Sequence, residues 1–169
     1  NEPWRGTAGV GIKGKVTVQG GTFTNCSFSG ESFVMYKGTI TNTDGSNITA
    51  KNVTVNGGEI TITMPDKNVN NAIGNNDCTV TINGGTVNVT AKYKDETGDP
   101  SGAGIAGTIV INGGHVIAKS KGCNGAGIGG YGSTGEGIKV NCPITIRGGI
   151  VEAEGTDGKD ATPLLLEGA

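Results

Sequence analysis

One stretch of the chain concentrates side chains that a hard metal ion could use as ligands. Asp95, Glu96 and Asp99 stand close together, and calcium in proteins takes about six to eight oxygen ligands. Their spacing matches neither an EF-hand loop nor the nonapeptide calcium repeat, and Lys92 and Lys94 lie beside them. A solvated surface loop is the favoured interpretation. Calcium is the alternative, and no other cofactor is expected.

Two tyrosines are candidates for sugar contacts. A pyranose has an apolar face and polar edges, so an aromatic ring flanked by hydrogen-bonding groups suits it. The aromatic candidates besides three phenylalanines are Trp4, Tyr36, Tyr93 and Tyr131. Tyr93 and Tyr131 fall in polar, glycine-containing insertions, where binding residues often concentrate. We therefore predict a ligand-binding surface formed by Tyr93, Tyr131, Asp95, Glu96 and Asp99.

Two further groups could do acid–base or electrostatic chemistry. His115 is the single histidine, and no residue near it in sequence suggests a catalytic partner, so we interpret it as a surface histidine. Arg147 occupies an outward position near Glu152 and Glu154. An exposed arginine that forms salt bridges to these acids is the favoured interpretation.

The composition indicates strands and turns. Of 169 residues, 33 are glycine, against roughly 7% in average proteins. Isoleucine and valine together number 30 while leucine occurs three times, a balance that favours pleated strands over helices. No run approaches the roughly 18 apolar residues of a membrane-spanning helix. A net charge of −2 without a basic stripe argues against a nucleic-acid partner.

A glycine-pair phrase recurs five times along the chain. In each copy apolar residues alternate before and after Gly-Gly, as in Val80-Thr-Ile-Asn-Gly-Gly-Thr-Val87. The first glycines fall at positions 20, 57, 84, 113 and 148, and a degenerate copy around Gly38 divides the first gap. Strands that bend at a glycine corner and return at such intervals bury their inner faces only by stacking. We expect Asn56, Asn83 and Asn112, which precede the pair, to tolerate left-handed geometry.

Aligning the copies places aliphatic residues in shared interior columns. One column would contain Val53, Val80, Ile109 and their equivalents. Further phrases such as Ala103-Gly-Ile-Ala-Gly107 would supply another side of each turn, with one inward aliphatic residue. The pattern predicts an all-β fold, a single-stranded right-handed parallel β-helix (β-solenoid) of about six turns, as one domain over residues 1–169. Trp4 and the run from Leu164 to Leu166 would cap its ends.

The cysteines are expected to remain free thiols. Cys78 and Cys142 each stand six residues before a glycine pair, so they share an inward column with one turn between them. Two strand spacings make about 9.6 Å, beyond the roughly 7 Å between Cα atoms that a disulfide spans. We predict that these two are buried apolar fillers. Cys26 and Cys123 lack a register that would pair them.

The Ile-Asn-Gly-Gly-Thr-Val and Ala-Gly-Ile-Gly phrases resemble right-handed parallel β-helix domains of secreted bacterial surface proteins. The likeness extends over essentially the whole chain and includes modules described as carbohydrate-binding and glycine-pair repeats of surface adhesins. It implies an exported or cell-surface protein that binds a polysaccharide or a host or cell-wall glycan, sometimes with calcium. The Asn1-Glu-Pro-Trp4 start favours a processed or excised fragment of a larger exported protein.

An enzyme with a parallel β-helix fold is the alternative to a glycan-binding module. Asn42-Thr-Asp-Gly45 resembles a polygalacturonase motif that holds a catalytic carboxylate, but the Asp-Asp pair and other motifs of that family are missing. Pectate lyases need an acidic calcium site beside a basic residue, for which only Arg5 and Arg147 are arginine candidates. We therefore favour a non-catalytic glycan-binding or adhesive module. A lyase or hydrolase acting on acidic glycans and a structural stalk segment remain the alternatives.

Overall fold

The computed structural model describes residues 10–66, 70–92, 102–121, 125–129, 142–155 and 164–167. These residues form strands and connecting turns. The strands are β1 (Val10–Thr24), β2 (Cys26–Asn42), β3 (Asn52–Val55), β4 (Glu59–Thr63), β5 (Ile73–Ile82), β6 (Thr86–Lys92), β7 (Ile105–Ile111), β8 (His115–Lys121), β9 (Ile144–Ile146), β10 (Ile150–Glu154) and β11 (Leu164–Glu167).

The strands form one strongly curled sheet that is parallel in all of its pairings except one. The exception is β11, which pairs antiparallel with β10 at one end of the strand order. This confirms an all-β, parallel architecture, and it is compatible with a β-solenoid. Because β11 begins at Leu164, the predicted capping run forms the terminal strand of the order.

The long strand β2 shows how the sheet bends. Its segment 32–35 pairs with β3, and its segment 39–42 pairs with β4, so two ladders diverge on either side of Gly38. The first ladder continues through β5, β7 and β9, and the second continues through β6, β8 and β10. The glycine pairs between successive strands, such as Gly57 and Gly58, lie along the corner that joins the two ladders.

The interior columns are confirmed by the pairing register. Val53 pairs with Val80, which pairs with Ile109, and all three are buried. Another column runs along a different side, where strand pairs and isolated bridges connect residues of successive strands that are all aliphatic except one. It consists of Ile12, Phe28, Ile48, Ile73, Ile105 and Ile128. Ile73, Ile105 and Ile128 come from the alanine-glycine-isoleucine phrases, which therefore supply part of a further inward column, as the sequence predicts. Val10, in the corresponding phrase near the start of the chain, is exposed instead, and Ile12 takes the inward position.

Glycine is required at the corner for two separate reasons. Gly85 has a φ of +83°, a conformation that other residues rarely adopt. A Cβ on Gly84 would lie 2.9 Å from the carbonyl oxygen of Asn56 in the neighbouring strand. The preceding asparagines do not adopt the left-handed geometry that they were expected to tolerate. Among the described non-glycine residues, only Asn25 has a positive φ. At the corner, the second glycine of each pair supplies the left-handed conformation.

The thiols are free wherever the structure describes them. Cys26, Cys78 and Cys142 form no disulfide, and Cys123 lies outside the described residues. Cys78 is buried as expected, but Cys142 is only half-buried, because it precedes the short strand β9 near one end of the first ladder.

Within the described ranges, no helix is long and apolar enough to cross a membrane.

Candidate functional site

The ligand-binding surface predicted from the sequence lies outside the described residues. Tyr93, Asp95, Glu96 and Asp99 fall within residues 93–101, and Tyr131 falls within residues 130–141. Their grouping therefore stays a prediction, and so does calcium binding there. In the described portion of the chain, no group of three or more histidine, cysteine or acidic side chains could hold a metal ion.

The enzyme-like motif at Asn42 is part of a structural turn. Asn42 is fully buried, and its amide accepts a hydrogen bond from the Cys26 backbone N–H at 3.0 Å and donates one to the Cys26 carbonyl at 2.8 Å. Asp44 accepts a hydrogen bond from the Ser46 backbone N–H at 3.0 Å, the geometry of an Asx turn. The side chain of Asn42 therefore stands in for a backbone strand partner, and the motif forms a hydrogen-bonded turn.

A row of hydrogen-bonded side-chain amides runs along the outside of the corner. Asn83 Nδ2 donates to Asn56 Oδ1 at 2.8 Å, and Asn112 Nδ2 donates to Asn83 Oδ1 at 2.7 Å. Arg147 Nη1 then donates to Asn112 Oδ1 at 3.1 Å. We call Asn56, Asn83 and Asn112 the amide ladder. Its hydrogen bonds all run in the same direction along the stack of strands.

The backbone keeps the amide ladder in register. The N–H groups of Asn56, Asn83, Asn112 and Arg147 each donate to a carbonyl in the preceding strand of the first ladder, at 2.7 Å. Consecutive ladder side chains are therefore separated by one strand spacing, about 4.8 Å. The close approach of the backbones at Gly84 permits this stacking, because no Cβ intervenes.

The amide ladder retains hydrogen-bonding capacity toward solvent. An amide offers two N–H donors and two oxygen lone pairs, and Asn83 uses one of each within the ladder. Asn56 differs, because its oxygen accepts from Asn83 while its Nδ2 group makes no hydrogen bond to another described residue. The amide ladder therefore ends at Asn56 with an unused N–H donor, which we call its open donor end. This end lies on the side of β2, away from Asn83.

Next to that open end is the most exposed aromatic side chain that the structure describes. Tyr36 is 51% exposed and precedes Gly38 at the corner of β2. Tyr36, Gln19 and Lys37 line a shallow depression of about 280 Å³. Lys37 is exposed and has no acidic partner within ion-pair distance in the part of the chain described. The depression therefore combines an aromatic ring, an amide and an ammonium group.

These features form one continuous surface, which we call the corner strip. It extends over six strands, which are β1, paired in parallel with β2, and the strands β2, β3, β5, β7 and β9 of the first ladder. Its members are Gln19, Tyr36, Lys37, Asn56, Asn83, Asn112 and Arg147.

The glutamates that follow Arg147 have other partners. Glu152 Oε1 lies 3.2 Å from His115 Nε2, and Glu154 Oε2 lies 3.1 Å from Lys119 Nζ. Both pairs join β8 to β10 on the outer face of the second ladder. The expected salt bridges from Arg147 to these acids are therefore wrong, because the corner directs Arg147 toward Asn112 instead. His115 has a partner that its sequence neighbourhood does not reveal.

The chain matches no protein-family model, no curated protein and no solved structure.

Proposed function

We propose that this protein is a non-catalytic glycan-binding module and that the corner strip is its binding surface. Its sheet would complete a right-handed parallel β-helix of about six turns, exported to the cell surface or the extracellular space. The observation that carries the proposal is the open donor end of the amide ladder beside the exposed ring of Tyr36.

The chemistry of the corner strip suits a sugar. The ring of Tyr36 offers an apolar face to a pyranose, and Gln19, Lys37 and Asn56 offer hydrogen-bonding groups at its edges. The ladder hydrogen bonds hold the amides in one orientation before any ligand arrives, which lowers the ordering cost of binding.

The residues that suggested catalysis have structural uses instead, which supports a binding module over a hydrolase or lyase. Asp44 is engaged in the turn with Ser46, and Arg147 donates to Asn112. Neither contact brings an acid and a base together across a cleft, as inverting hydrolysis requires.

A glycan array tests the proposal. Wild-type protein is compared with Tyr36→Ala, which removes the exposed ring, and with a Tyr93→Ala, Tyr131→Ala double variant, which tests the rival surface predicted from the sequence. We expect wild type and the double variant to bind the same glycans and Tyr36→Ala to lose at least about tenfold in affinity, because one stacked ring is worth about 1.5 kcal/mol or more. A wild-type protein that binds no glycan contradicts the proposal, and so does a loss confined to the double variant.

A further inference from the structure

The corner strip is linear and has a constant repeat. Its amides follow one another at one strand spacing, about 4.8 Å, because each backbone N–H at this position pairs with the strand before. From β2, which carries Tyr36, to β9, which ends beside Arg147, there are four such steps, or roughly 19 Å. The strand spacing of about 4.8 Å is close to the length of one pyranose unit in a fully extended glycan chain.

We infer that the ligand is an extended, β-1,4-linked glycan chain that lies along the corner strip with about one sugar unit per strand. The inference rests on the proposed function and specifies the ligand class. A β-1,4 linkage between equatorial positions gives a straight, ribbon-like chain, whereas an α-1,4-linked glucan coils away from a straight surface. A linear row of equally spaced amides matches the ribbon and not the coil.

Each asparagine of the amide ladder can engage one unit of the glycan chain, with successive β-1,4-linked units turning opposite edges toward the corner strip. Asn83 and Asn112 each have an N–H and an oxygen lone pair left after their ladder hydrogen bonds, both on an exposed surface. Sugar hydroxyl groups donate and accept equally well, so each amide pairs with the sugar unit above it. Tyr36 anchors one end by stacking, and the guanidinium of Arg147 supplies donors at the other.

The inference predicts that affinity depends on chain length. A disaccharide covers Tyr36 and its nearest neighbours only, while a pentasaccharide covers the strip from Tyr36 to Arg147. Calorimetric titration with β-1,4-linked oligosaccharides of glucose, mannose and N-acetylglucosamine, from two to six units, measures this dependence. The α-1,4-linked gluco-oligosaccharides of the same lengths are the matched control.

We expect at least one β-1,4 series to gain about tenfold or more in affinity between two and five units and then to level off. The α-1,4 series is expected to show no such gain. Arg147→Gln is expected to reduce binding of the pentasaccharide severalfold and to leave the disaccharide unchanged, and its unfolding curve checks that the fold is intact. Asn88→Ala, on the outer face of β6, is the control substitution and leaves both affinities unchanged.

The outcomes separate the two proposals. The extended-chain inference is overturned if affinity is the same at every oligosaccharide length, or if the α-1,4 series binds as tightly as the β-1,4 series. The glycan-binding proposal still stands in either case if Tyr36→Ala abolishes the binding. Failure of all three β-1,4 series also overturns the inference. Absence of any bound glycan on the array, by contrast, overturns the proposed function itself.

Discussion

The side-chain amide of Asn112 donates a 2.7 Å hydrogen bond to the amide oxygen of Asn83, although 29 residues separate them in sequence. The contact exists because β7 follows β5 in parallel register and the corner turns at the same position in both strands. An exposed asparagine is ordinarily free to rotate. Here the repeat of the fold fixes its orientation and leaves one N–H and one oxygen lone pair unused by the amide ladder.

The ladder hydrogen bonds should contribute measurably to stability. Asn83→Asp keeps an acceptor for the Asn112 amide, but it removes the N–H that donates to Asn56 and places a negative charge beside the Asn56 Oδ1 atom. We expect the free energy of unfolding to fall by about 1 kcal/mol, measured by urea denaturation. Asn88→Asp, at an exposed strand position off the ladder, is the control and should change stability by less than about 0.5 kcal/mol. Equal effects would show that the ladder contributes nothing.

The buried amide of Asn42 is predicted to be a principal stabilising group of the β2 turn. Asn42→Ala would leave the Cys26 N–H and carbonyl without these partners, and the Ser46 carbonyl would lose a 3.3 Å contact. We expect a loss of about 2 to 4 kcal/mol. Asp44→Ala removes only the contact to the Ser46 N–H and should cost about 1 kcal/mol or less.

Thermal and urea unfolding of Asn42→Ala and Asp44→Ala test whether the Asn42-Thr-Asp-Gly45 motif has a structural or a catalytic role. If Asp44→Ala proves the more damaging substitution, or if it abolishes uronide release that the wild type shows on pectic substrates, the turn assignment is wrong.

The interior of the fold could be predicted from the sequence, whereas the corner strip could not. Val80 and Ile109 alternate with outward residues on a period of two, so their column follows from the glycine-pair phrase alone. The outward column containing Asn83 is also visible in the sequence. Its hydrogen bonds are not, because they depend on side-chain orientation across strands that are 27 to 35 residues apart.

The place of Tyr36 beside Gln19 and Lys37 is difficult to predict for a different reason. It lies in a degenerate copy that has Lys37 where other copies have the first glycine of the pair, and the register shifts between Val18 and Gln19 in the paired strand β1. An irregularity of this kind has no signature in the repeat. The sequence therefore directs attention to the tyrosines of the insertions, although it does include Tyr36 among the aromatic candidates.

The corner glycines should be intolerant of any side chain. Gly85 has a φ of +83°, and a Cβ there would lie 2.6 Å from the carbonyl oxygen of Gly58. We expect Gly85→Ala to destabilise the protein by about 3 to 5 kcal/mol, the sum of backbone strain and overpacking. Gly11→Ala is the control, since a Cβ at Gly11 meets no atom within 4 Å. Circular dichroism melting curves of both variants check this, and similar melting temperatures would contradict the register of the corner.

The buried thiol of Cys78 should make stability fall at alkaline pH. Burial raises the pKa of this thiol, and the charge of Asp77 acts in the same direction against an opposing hydrogen bond from the Asn75 backbone. A group whose pKa is raised by folding stabilises the fold fully below its unfolded pKa and loses that contribution as pH rises through the folded value. The free energy of unfolding should therefore decline as the pH passes about 9.

Comparison with Cys78→Ala isolates this contribution, because every other titrating group is common to both proteins. The variant is expected to be less stable at neutral pH, since its thiol packs in the core and contacts the Ala50 carbonyl, yet to show a flatter decline between pH 8 and 10. Parallel pH profiles for the two proteins would refute the assignment.

Nuclear magnetic resonance of the asparagine side chains tests the glycan-binding proposal most directly. Titration of ¹⁵N-labelled protein with the pentasaccharide bound best in calorimetry should shift the side-chain NH₂ resonances of Asn56, Asn83 and Asn112 together, with one common saturation curve. The side-chain resonance of Asn88 should stay in place. Saturable shifts confined to residues 93–99 and 131, with the three ladder amides unmoved, would contradict the account and assign the ligand to the insertions.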